Sequence, residues 1–139
     1  MCWALYLASD KELPQIPWDE NARGFNTQSL RDDDKDVSRQ FSHPYIIYLG
    51  SHEGCGCGFK DDAEDDEVET ALRNNTLQQL AQYLNQALSK GAKLEIFLCW
   101  EGDQETAVVE RKELTPANFW GAKFPLSERE FATVEVPPT

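Results

Sequence analysis

Three side chains within one short stretch carry most of the ligand chemistry in this sequence. His52, Cys55 and Cys57 stand in the spacing H-x2-C-x-C inside Ser51-His-Glu-Gly-Cys-Gly-Cys-Gly-Phe59. Two thiolates and a neutral imidazole suit zinc or another thiophilic metal, with the fourth position taken by water, His43 or Cys99. Glycines at 54, 56 and 58 alternate with the cysteines. If the stretch is extended, both sulfurs point one way and the opposite side carries no side chains, so a ligand or another strand can approach closely. The spacing is less specific than the paired C-x2-C of structural zinc sites.

Two other chemistries compete with metal. A Cys55–Cys57 disulfide would close a strained, easily reduced ring and act as a switch or exchange catalyst, not as a staple. Alternatively one cysteine is a nucleophile with His52 or His43 as base. The simplest alternative is a structural loop, because cysteine is among the most buried residue types and glycines often mark only a bend. Cys2 and Cys99 fall within strand patterns and read as core thiols; His43, before Pro44, reads as a loop residue.

Charge narrows the choice. Thirteen Lys/Arg against 25 Asp/Glu leave −12 on 139 residues. Such a surface repels phosphate backbones and anionic headgroups, so the expectation is no nucleic acid and no membrane. Between Lys60 and Glu69 stand seven acids and one lysine, a net −6, without the D-x-D-x-D-G pattern of an EF-hand. That run reads first as a solvated loop. Its functional alternatives are divalent-cation binding and a face for a basic protein partner, which Asp32 to Asp34 and Glu101, Asp103 and Glu105 would extend. A negative field beside Cys55 and Cys57 raises thiol pKa values, which opposes a nucleophile and favours a bound cation. No glycine-rich phosphate loop, G-x-S-x-G or H-E-x-x-H motif is present.

The elements that must position the loop follow from periodicity. Met1 to Ala8 alternates Trp3, Leu5 and Leu7 with Cys2, Ala4 and Tyr6, apolar on both sides, as an interior strand requires. It lacks the basic flank and cleavage site of a leader, and with thiols in place of disulfides this predicts a cytoplasmic protein. Phe25 to Leu30 is a short strand, Asp36 caps one helical turn through Phe41, and Tyr45 to Gly50 is a strand that ends at the Cys/His loop. Leu77, Leu80, Ala81, Leu84 and Leu88 form one stripe of a helix over Thr76 to Lys90, with a Thr76/Gln79 capping box and a left-handed Gly91 stop. Val68 and Leu72 fall off that stripe, which places the helix start near 76. Lys93 to Trp100 is a strand, Thr106 to Lys112 its hairpin partner, Pro116 opens one short turn, and Phe131 to Val136 is a last strand. Trp3 and Trp100 read as core, Trp18 and Trp120 as loop residues. The sum is a single α+β domain over 1–139: about five mostly antiparallel strands with one long helix on a sheet face.

Tyr48-Leu-Gly-Ser-His-Glu-Gly-Cys-Gly-Cys-Gly-Phe59 and Leu98-Cys-Trp-Glu-Gly-Asp103 resemble a set of small bacterial proteins with no assigned function. The resemblance covers about 18 of the 139 residues. It implies a bacterial cytosolic setting and no catalytic roles. The leading expectation is therefore zinc, or a similar soft ion, held by His52, Cys55 and Cys57.

Overall fold

In the computed structural model, which describes residues 2–60, 65–121 and 123–137, six strands form one mixed sheet with a long helix against one face. The elements are β1 (Trp3–Ser9), β2 (Asn26–Ser29), β3 (Tyr45–Gly50), α1 (Glu67–Ser89), β4 (Leu94–Trp100), β5 (Glu110–Leu114) and β6 (Glu130–Val134). Three 3-10 segments, Asp32–Gln40, Gly56–Phe59 and Pro116–Phe119, connect them. The strand order is β2-β3-β1-β4-β6-β5, antiparallel except for β5 beside β6.

Strand β1 lies inside the sheet, as its two apolar faces require, with Leu5 opposite Leu49 of β3 on one side and Leu98 of β4 on the other. Leu5, Leu7, Leu94, Ile96 and Leu98 face α1 and pack with Leu77, Leu80, Leu84 and Phe59. Ala4, Tyr6, Phe97, Cys99 and Phe131 face the other way, under Val37 of the Asp32–Gln40 segment. Each fully buried Leu or Phe contributes about 1.5–3 kcal/mol, so both faces stabilise the sheet. Among the described residues, no helix is long and apolar enough to cross a membrane.

The helix begins nine residues earlier than the apolar stripe predicts. Its N-cap is Asp66, whose carboxylate accepts the Glu69 N–H at 2.8 Å. The inward stripe does continue toward the N-terminus, but its members change character: Thr76 and Arg73 are buried and Glu69 is half-buried. Val68 stays exposed, as the helical wheel demands. Thr76 is therefore an interior helix residue and not a cap, and Gln79 Oε1 instead accepts the Phe25 N–H at 3.0 Å. The second half of the acidic run is consequently helix start, not loop; Asp61 to Glu64 lie outside the described residues. The Gly91 stop holds, with φ at +86°. The turn expected from Asp36 starts earlier, at Asp32, where Asp34 accepts the Arg31 N–H at 3.1 Å.

The expected hairpin of β4 with the next strand is not made. Strand β6 lies between them, pairing Ile96 with Ala132 and Phe97 with Phe131. Composition explains the exchange. The Glu-Phe-Ala-Thr-Val of β6 can be covered on both faces, while the Glu-Arg-Lys-Glu of β5 suits a solvated sheet edge.

Candidate metal centre

The loop leaving β3 is organised around a side chain that spacing arguments passed over. Ser51, fully buried, donates its hydroxyl to the Cys55 carbonyl at 2.6 Å and accepts the N–H groups of Glu53 and Gly58 at 3.2 and 3.1 Å. The Ser51 N–H also donates to the Cys55 carbonyl, at 2.9 Å. This ties the loop into a closed bend, and Gly54 at φ +86° supplies the turn that a side chain would oppose. The stretch is therefore not extended throughout: Cys55 is, but Gly56–Phe59 forms a 3-10 turn.

The bend divides the predicted ligand set. Cys55 and Cys57 come together with Cys2, all three sulfurs lying within 4.8 Å of one another. His52 belongs instead to a group with Glu53 and Glu69. Cys2, read from sequence as a core thiol, is exposed, while Cys99 is indeed buried and stands outside the cluster. His43 is also outside it, and its backbone N–H donates to Glu95 at 3.2 Å.

Close backbone approach brings the sulfurs together. A Cβ on Gly56 would stand 2.7 Å from the Trp3 carbonyl oxygen, so only glycine lets the loop lie against the start of β1. From there the Trp3 backbone N–H donates to Cys57 Sγ at 3.3 Å. Trp3 stacks on Trp100 with ring centroids 3.7 Å apart and carries the Lys60 ammonium 5.3 Å from its centroid. The cluster opens toward solvent at Cys2.

Three sulfurs on a tetrahedral ion at a Zn–S distance of about 2.3 Å stand about 3.8 Å apart. A group within 4.8 Å needs at most a rotamer adjustment to reach that spacing. Burial pushes the Cys57 thiol up to about 12, the neighbouring thiols of Cys55 and Cys2 add to the rise, and the Trp3 N–H opposes it. Desolvation is the largest cause, and crowded sulfur adds to it.

Among the described residues the His52 ring is engaged away from the thiols. His52 Nδ1 is 3.1 Å from Thr76 Oγ1 and Nε2 is 3.4 Å from Glu69 Oε2, so the imidazole serves α1 and not the sulfurs. The chain matches no protein-family model, no curated protein and no solved structure. The site must therefore be read from its own chemistry.

Proposed function

We propose that the chain binds a thiophilic metal ion, zinc or a similar soft ion, through Cys2, Cys55 and Cys57. The observation that carries this reading is the convergence of three sulfurs from two distant parts of the chain. Three thiolates prefer soft or borderline ions over magnesium or calcium. Solvent takes the fourth position on the open side, next to Cys2.

Metal binding must displace thiol protons, and these pass to solvent. With the Cys57 thiol pushed up to about 12 in the metal-free protein, loading at neutral pH releases at least its proton. Apparent affinity accordingly rises by about tenfold per pH unit for each proton released. Once the ion is bound, the Trp3 N–H stabilises the Cys57 thiolate as a charge-assisted donor.

Titration with Zn2+ and with Cd2+, the latter followed by its thiolate-to-metal ultraviolet absorption, tests the proposal. The thiolate-to-metal absorption should saturate at one equivalent. Cys2→Ser, Cys55→Ser and Cys57→Ser should each weaken binding at least about tenfold, and Cys99→Ser should leave it unchanged. Binding of less than a tenth of an equivalent, or a Cys2→Ser variant that loads like the parent, would refute this assignment.

A further inference from the structure

The second half of the divided ligand set is a site in its own right. His52 is only 5% exposed, and a buried imidazole ordinarily has both nitrogens satisfied. Here Nδ1 meets Thr76 Oγ1 at 3.1 Å, but Nε2 has no hydrogen-bond partner among the described residues. It points at Glu69 Oε2 across 3.4 Å, and a Glu53 carboxylate oxygen completes a group within 4.8 Å. That separation makes a poor hydrogen bond. It is, however, the spacing of two ligands about 2.1 Å from one tetrahedral ion, which stand about 3.4 Å apart.

We infer that His52, Glu53 and Glu69 form a second cation site, selective for a divalent ion that accepts nitrogen and carboxylate oxygen. With the ring proton on Nδ1, Thr76 Oγ1 accepts it and the Nε2 lone pair faces the ion; metal-bound histidines are held in this way by an oxygen on the far ring nitrogen. Space for the ring comes from Gly58, where a Cβ would stand 2.6 Å from His52 Cε1 and 2.3 Å from Ser51 Oγ. Glu53 is exposed and the Glu69 side chain 42% exposed, so an ion reaches the imidazole from solvent through the two carboxylates. Asp66 and Glu67 at the start of α1 offset the positive end of the helix dipole there. The nearest buried cation on the same helix face, Arg73, is paired with Asp65.

This site does not depend on the thiol cluster, and Mn2+ separates the two because it favours carboxylate and imidazole over thiolate. The chain has two histidines, so their ring resonances are readily distinguished by NMR. Substoichiometric Mn2+ added to the full chain should broaden the His52 ring signals and spare those of His43. Glu53→Gln/Glu69→Gln should restore the His52 signals and weaken Mn2+ binding, measured by electron paramagnetic resonance, at least tenfold. Cys55→Ser/Cys57→Ser should retain the Mn2+ site. The inference is overturned if His52 and His43 respond alike, if the double glutamine variant binds Mn2+ as the parent does, or if the response disappears with the cysteines.

Discussion

Two buried polar groups on opposite faces of the sheet meet different fates. Asp34, 1% exposed, accepts the Tyr6 hydroxyl at 2.6 Å and the Arg31 N–H at 3.1 Å, while Gln104 donates to the Tyr6 oxygen at 3.2 Å. Every member of that network has its partner, and the Asp32–Gln40 segment closes over it. At the 51–59 loop the polar groups converge without closing: His52 keeps one nitrogen open, and Cys55 and Cys57 meet the exposed Cys2. Satisfied polar burial fastens a segment to the core. Unsatisfied convergence marks the place where a ligand can supply the missing bonds.

The contrast predicts an order of stability losses in the metal-free protein, read from urea midpoints. Asp34→Ala should cost most, about 3 kcal/mol, since it leaves the buried Tyr6 hydroxyl without its acceptor and removes the acceptor of the Arg31 backbone N–H. Gly56→Ala follows at about 1–3 kcal/mol, because its Cβ would press on the Trp3 backbone, which cannot swing away. Gly54→Ala meets no atom within 4 Å but holds φ at +86°, so backbone strain alone applies and the loss should be about 1 kcal/mol. Glu53→Gln should change stability by less than about 0.5 kcal/mol. An Asp34→Ala loss no greater than that of Glu53→Gln would erase the distinction between the closed network and the open loop.

Alkaline pH sharpens the same comparison. Burial pushes the Cys57 and Cys99 thiols up to about 12, from an ordinary value near 9. Below pH 9 both states keep these protons and the full contribution is present. As pH rises toward 12 the unfolded chain releases them first, so stability falls across that window. Tyr83, also pushed up to about 12 by burial, adds a loss of the same sign above its ordinary value of 10. Thermal midpoints of metal-free protein should therefore decline from about pH 9 upward. With zinc bound, Cys57 has already given up its proton, and its share of the decline should disappear.

Some of this architecture was legible in the residues and some was not, for definite reasons. The interior strands were readable because Leu5, Leu7, Ile96 and Leu98 alternate with Tyr6, Phe97 and Cys99, and the two-faced pattern has one structural meaning. The first turns of α1 were not, because Glu69, Arg73 and Thr76 occupy the inward stripe with polar atoms that face a loop and not the core. Strand order at the β5 edge depends on which segment can be covered on both faces, which is a tertiary property. At the site, the chemistry of Cys55, Cys57 and His52 was visible in the spacing. Their partition was not: Cys2 is more than fifty residues away, and the turn at Gly54 and the Ser51 hydroxyl rotate the imidazole away from the sulfurs.

The assignment of sulfur ligands is tested most directly by X-ray absorption at the zinc edge of the Glu53→Gln/Glu69→Gln variant loaded with one equivalent. Three sulfur scatterers at about 2.3 Å with one lighter atom are expected. A first shell of two sulfurs with an imidazole, or of nitrogen and oxygen alone, would contradict the cluster of Cys2, Cys55 and Cys57 as the metal centre.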